Sequence, residues 1–131
     1  MVQATLFLLV LSLALGAHGH SARKCTNLTG EWKNDLGSNM SITVDEKGIF
    51  TGWYKTSVKA SPNPIKKSPL WGCQHLKDYY TFGFSVNWTF SDSTTVFTGQ
   101  CFVDENGTEV LKTMWLLRSY VKNITSDWEA T

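Results

Sequence analysis

An excess of charge of either sign is missing from this sequence: 12 Lys+Arg stand against 11 Asp+Glu in 131 residues, a formal net charge of +1. So even a balance gives no electrostatic reason to expect nucleic acid or an anionic membrane as partner. Charged residues are also few, at 18% against 42% hydrophobic, which excludes a disordered chain, and the length allows one domain. Histidine is scarce: with His18 and His20 close to the amino terminus, His75 is the single imidazole in the rest of the chain. One His and three scattered Cys match no metal-ligand spacing. No G-x-S-x-G motif gives His75 a nucleophile to serve, and Gly-rich phosphate loops and basic–aromatic stripes are absent. The acidic residues Asp35, Asp45, Glu46, Asp92, Asp104 and Glu105 fall in turn-like stretches, which reads as solvated carboxylates rather than a glycosidase-type pair. No catalytic residue, metal or cofactor is expected. What the sequence does have is aromatics: six Trp, seven Phe and four Tyr. Binding, not reaction, is what this composition favours.

Long apolar runs are absent too. Leu6 to Leu15 (LFLLVLSLAL) is too short for a bilayer core, which needs about 20 residues. Followed by Gly16-Ala17-His18-Gly19-His20-Ser21, it reads as a secretory signal peptide over residues 1–21, leaving one domain over 22–131. The triplets beginning at Asn27, Asn39, Asn87, Asn106 and Asn123 are all N-x-[ST] acceptors and favour a secreted glycoprotein. In an oxidising compartment Cys25 and Cys101 could pair. Cys73 would then be left over, either a buried small hydrophobe or half of an intermolecular bridge.

Alternating runs separated by Gly, Asn and Asp predict antiparallel strands at Gly30–Asn34, Asn39–Val44, Gly48–Lys55, Ser68–His75, Thr81–Phe90, Thr94–Val103 and Thr108–Ser119. Asp45-Glu46-Lys47-Gly48 and Asp104-Glu105-Asn106-Gly107 read as short hairpin loops. The one long connection, Thr56 to Lys67, carries Pro62 and Pro64 and reads as a loop. A helical turn is expected near Ser126 to Glu129. Strand phase puts Phe82, Phe84, Val86, Trp88 and Phe90 on one face, Thr95, Phe97, Gly99 and Cys101 on one face, and Thr113, Trp115, Leu117 and Ser119 on one face. An aromatic face ending in hydroxyls suggests an all-β, antiparallel up-and-down barrel, able at about eight strands to hold one small ligand. A β-sandwich is the structural alternative.

At this level of detail the chain resembles the avidin family of secreted, egg-white biotin-binding barrels. The matching segments are Ala22 to Cys25, Leu28 to Met40 (LTGEWKNDLGSNM), Phe50-Thr51-Gly52, Phe82-Gly83-Phe84, Val86-Asn87-Trp88, Ser93 to Phe102 (STTVFTGQCF), Glu109 to Ser119 (EVLKTMWLLRS) and Asp127-Trp128. They run in family order along the whole of 22–131. The resemblance implies a Cys25–Cys101 disulfide, a homotetramer, biotin as ligand without chemical turnover, and an antibacterial role through withholding the vitamin. The related biotin–streptavidin pair is among the tightest non-covalent complexes, so tight binding is part of what it implies.

The resemblance also assigns roles. It makes Asn34, Ser38 and Tyr54 hydrogen-bond donors to the ureido oxygen, Thr56 an acceptor for a ureido N–H, and Thr95 the hydroxyl near the thioether sulfur. Trp88, Phe97 and Trp115 form the aromatic box, extended by Phe90 and Leu117. Ala60, Ser61, Ser91 and Ser93 meet the valeryl carboxylate, and Trp128 caps the site of a neighbouring subunit. Four departures accompany these matches, one being the segment between Gly72 and Phe82, which differs strongly from the family and contains Cys73. Lys59 replaces a small hydroxyl residue beside the carboxylate. Asn87 places a glycosylation signal on the outward side of its strand. The family continues past the match to Ala130-Thr131 into an eighth strand that closes the barrel, so seven strands are expected here, with Met114 and Leu116 left uncovered. The reading that competes with biotin sequestration is a secreted barrel glycoprotein whose small-ligand binding is lost or altered.

Overall fold

The computed structural model describes residues 24–57 and 67–131. The expected leader over residues 1–21, and Lys59, Ala60 and Ser61, lie outside the described residues. Seven strands follow in order: β1 (Gly30–Lys33), β2 (Asn39–Val44), β3 (Ile49–Lys55), β4 (Ser68–Gln74), β5 (Thr81–Asn87), β6 (Thr94–Val103) and β7 (Glu109–Arg118). Each pairs antiparallel with the next in one sheet of order β1-β2-β3-β4-β5-β6-β7. The sheet curls into a half-barrel rather than splitting into a sandwich, and among the described residues β1 and β7 are each paired on one side only. No helix among the described residues is long and apolar enough to cross a membrane.

Three of the hairpin loops share one construction. In the β2–β3 turn the Asp45 carboxylate accepts the backbone N–H groups of Lys47 and Ile49, each at 2.9 Å, and Gly48 takes φ 84°. The β6–β7 turn repeats it, with Asp104 accepting from Asn106 and Thr108 at 2.9 Å and Gly107 at φ 77°. The β1–β2 turn repeats it again with Asn34, which accepts from Leu36 at 3.0 Å and Ser38 at 2.9 Å before Gly37 at φ 87°. A short side-chain acceptor at the first position and a Gly that tolerates positive φ at the fourth are what such a turn needs.

The concave face carries the core. Phe50 and Val86 are fully buried, with Ile42, Leu70, Phe82 and Phe84 nearly so. Phe50 packs on Phe84 at 5.8 Å between ring centroids, and Phe82 stacks on Phe84 at 6.2 Å. Gly72 on β4 faces this cluster because a Cβ there would come within 2.1 Å of the Gly83 carbonyl oxygen and 2.5 Å of the Phe84 Cβ. One end of the half-barrel is plugged by the segment before β1. The Gln74 side chain, buried at that end, accepts the Leu28 N–H at 3.2 Å and donates to the Thr26 carbonyl at 2.9 Å. The Cys25–Cys101 disulfide, with Cα atoms 5.6 Å apart, fixes this segment to β6.

Two sequence expectations are corrected here. The fifth strand stops at Asn87 instead of Phe90, because the Trp88 N–H turns to the Ser93 carbonyl at 3.3 Å and the Thr89 N–H goes to the Ser68 hydroxyl at 3.1 Å. Cys73 is not a buried hydrophobe: β4 alternates Ser68, Leu70, Gly72 and Gln74 inward, so Cys73 is exposed on the outside. The helical turn expected at the carboxyl end is a 3-10 helix over Ile124–Glu129, and a further one, not foreseen, spans Lys77–Tyr79 ahead of Tyr80 at φ 56°.

Candidate functional site

The end of the half-barrel opposite the plug is hollow. A cleft of about 840 Å³, within the range of small-molecule sites, opens there and runs along the open side to Glu109 and Leu111 near the plug. Its walls divide into a polar corner and an aromatic side.

The polar corner is built on the β1–β2 turn. Because the Asn34 side-chain oxygen is spent on the N–H groups of Leu36 and Ser38, its amide NH2 is the end left for the cleft, and Asn34 lines it. Asp45 and Asp104 perform the same turn-forming task with acceptor-only groups; the one such turn at the cleft has a side chain with donors to spare. Ser38 follows, buried at 4% exposure, its hydroxyl accepting the Ser57 N–H at 2.9 Å. The Ser57 hydroxyl in turn donates to the Leu36 carbonyl at 2.6 Å and lies 3.2 Å from the Ser38 hydroxyl. Tyr54, on β3 across from Met40, has Ser38 as its side-chain hydrogen-bond partner. Burial pushes the Tyr54 phenol above the ordinary tyrosine value, and the Ser38 hydrogen bond opposes this in part. Tyr54 is therefore a protonated donor at neutral pH and well above it. Thr56, immediately after β3, lines the same corner.

The aromatic side comes from β5, β6 and the turn between them. Tyr54 stacks on Phe97 at 5.6 Å and meets Trp88 edge-on at 5.5 Å, while Phe97 stacks on Phe84 at 4.7 Å. Trp88 is held by its indole N–H, which donates to the Thr95 hydroxyl at 2.8 Å; Thr95 is 3% exposed. Phe90 leans on Trp88 at 5.5 Å. Ser93, Thr95, Phe97, Trp115 and Leu117 complete this side. Trp115, cross-strand from Phe97, is 62% exposed because β7 has no strand on its far side among the described residues.

The structure thus gathers Asn34, Ser38, Tyr54, Thr56, Trp88, Phe90, Ser93, Thr95, Phe97, Trp115 and Leu117 around one cleft. Ser91 stands outside its wall, exposed in the bend and bonded to the Ser93 hydroxyl. Trp128 is 78% exposed on the 3-10 helix and does not line the cleft of its own chain. Sequence reasoning missed Trp32, Met40 and Phe84 as lining residues, although the alternation of Gly30 and Trp32 in β1 carried the signal for one of them. The cluster of Cys25, Cys101 and Glu109 is no metal centre, since both sulfurs are bonded to each other.

The avidin family profile matches residues 22–131. The chain belongs to the avidin family. It is 63% identical to avidin of Gallus gallus over 138 residues, covering 100% of this chain and 90% of that one. With avidin-related protein 4/5 of Gallus gallus it shares 61% identity, over 96% of this chain and 85% of the relative. Among solved structures, Xenavidin superposes with a TM-score of 0.76 at 52% identity, covering 79% of this chain and 88% of that one. A biotin-binding protein from chicken gives 0.76 at 50% identity, over 82% and 89%. Avidins are non-enzymatic proteins that bind biotin as a ligand and need no cofactor, so this avidin-family chain is a binding protein rather than an enzyme.

Proposed function

We propose that this chain binds biotin in the cleft and withholds it without chemical change. The observation that carries the reading is the polar corner: Asn34, Ser38 and Tyr54, linked through Ser38, present neutral donors beside a stacked aromatic wall. Neutral donors converging on a ureido carbonyl oxygen stabilise its partial negative charge without stranding a buried ion. Thr56 accepts from a ureido N–H, and Thr95, already holding Trp88, sits near the thioether sulfur. Trp88, Phe97 and Trp115, with Phe90 and Leu117, bury the bicyclic ring at little entropic cost. Ser93, its hydroxyl bonded to Ser91, receives the valeryl carboxylate together with Ala60 and Ser61.

The wider reading is a secreted glycoprotein with residues 1–21 as leader, modified at sequons among Asn27, Asn39, Asn87, Asn106 and Asn123, antibacterial through depriving microbes of the vitamin. Self-association to a tetramer covers the outer face of the sheet and brings Trp128 over a neighbouring cleft. The described sequon asparagines are all exposed, which supports their being glycan carriers.

A second reading is a barrel glycoprotein with lost or altered ligand binding. Retention on biotin-agarose separates the two: elution by free biotin supports the first, and flow-through of folded protein supports the second.

A further inference from the structure

The convex face of the sheet is as ordered as the concave one. The outward residues of β3 to β7 fall in cross-strand rows. One row runs Thr51, Trp71, Ser85, Val96, Leu116, each directly opposite the next. Beside it, the β3–β4 pair Trp53–Pro69 and the β5–β6–β7 run Asn87–Thr94–Arg118 belong to one row, since carrying the β4–β5 register one residue beyond Leu70–Val86 sets Asn87 next to Pro69. On the other side lie Cys73 and Met114. Trp53, Trp71, Val96, Leu116 and Met114 are between 45% and 74% exposed. The one charged side chain in these rows, Arg118, is paired with Asp127 at 2.5 Å.

Five strands spaced about 4.8 Å apart make this a contiguous face about 20 Å across, flanked by the exposed Lys55 and Lys112, the kind of surface that a monomer seldom leaves bare. Asn87 stands on the central strand of the five. It is the acceptor of Asn87-Trp88-Thr89, is exposed, and its side chain makes no hydrogen bond to the described residues. The Thr89 hydroxyl, by contrast, lies 3.3 Å from the buried Ser68 hydroxyl, so Thr89 has a structural task of its own. The other sequons lie elsewhere: Asn106 at the β6–β7 turn, Asn27 and Asn123 in loops, and Asn39 on β2 opposite Lys33 and Lys55.

We propose that Asn87 is a glycosylation site whose glycan covers this outer face, so that occupancy of Asn87 decides whether the chain self-associates. The proposal rests on the self-association reading above. A glycan is bulky and hydrated; rooted in the middle of the face, it shields Trp71 and Val96 and keeps a second copy from packing on them. Chains bare at Asn87 associate, and chains carrying the glycan stay monomeric.

The test is secretion of the full chain from a glycosylating host, separation by size-exclusion chromatography with light scattering, and glycopeptide mapping of each fraction. Asn87 is expected to be occupied in the monomer fraction and bare in the oligomer. Asn87→Gln, which spares the Thr89 contacts, is expected to remove the monomer fraction, whereas Asn106→Gln leaves the distribution as it was. Asn87 glycan in the oligomer, Asn87 bare in every fraction, or a mixture of monomer and oligomer left unchanged in Asn87→Gln would overturn the proposal. A folded Asn87→Gln protein that stays monomeric would instead remove the self-association reading on which it rests.

Discussion

The Asn34 side-chain oxygen accepts the Ser38 N–H at 2.9 Å, and this bond orients both of the first two donors of the cleft. The turn that makes it is the same one Asp45 and Asp104 build with carboxylates. Asn34→Asp therefore separates folding from binding. The variant is expected to keep the turn and unfold within about 1 kcal/mol of the parent in urea. Its biotin affinity is expected to fall by at least about thirtyfold, because the donor proposed for the ureido oxygen becomes a charged acceptor. Equal losses of stability and affinity would contradict this.

Thr95→Val keeps the shape of the side chain and deletes the acceptor of the Trp88 indole. A half-buried N–H left without partner costs about 1–3 kcal/mol, which should be read as a lower urea midpoint with an unchanged slope. The indole loses its anchor as well, so biotin binding weakens and the Trp emission of the free protein shifts.

Tyr54 gives the pH dependence. Its pKa is raised by burial, so below the ordinary value of about 10 both folded and unfolded chains hold the proton and stability is intact. As pH climbs past that value the unfolded chain releases its proton first, and stability is lost as pH rises toward the folded-state pKa. The phenol absorbance titration should show one late-titrating tyrosine that Tyr54→Phe removes, and urea midpoints of the variant should depend less on pH above 10 than those of the parent. Biotin affinity should stay flat from neutral pH until that late titration begins.

Cys25–Cys101 closes a long loop, with a sequence separation of 76. Replacing both with Ser is expected to lower stability by about 4 kcal/mol on the chain-entropy account, visible as a reduced Tm, with the cleft residues unaltered in identity. A Tm unchanged on replacement would show that the plug through Gln74 and Leu28 suffices alone.

Much of this was legible beforehand because the strands are short, alternating and punctuated. The bounds of β2 and β6 follow the residue pattern to the residue. Trp88 to Phe90 misled because the inward phase continues through an aromatic pair after the backbone has left the sheet; the break depends on Ser68, a residue about twenty positions away. Cys73 misled by residue type, since phase alone, with Leu70 and Gly72 inward, places it outside. The roles of Ser57 and Gln74 could not be read in advance, as both side chains act through long-range bonds to backbone that only the folded chain brings near. Asn34 was named from resemblance, but the reason for its amide, a turn repeated with Asp at two other places, needed the hydrogen bonds.

The most direct measurement is a calorimetric titration of the folded chain with biotin, followed in parallel by tryptophan fluorescence. One biotin bound per chain, with a fluorescence response lost or right-shifted in Asn34→Asp, is the result expected. Folded protein that gives neither heat nor fluorescence change, or binds as well with Asp at position 34, would contradict the assignment of this cleft to biotin.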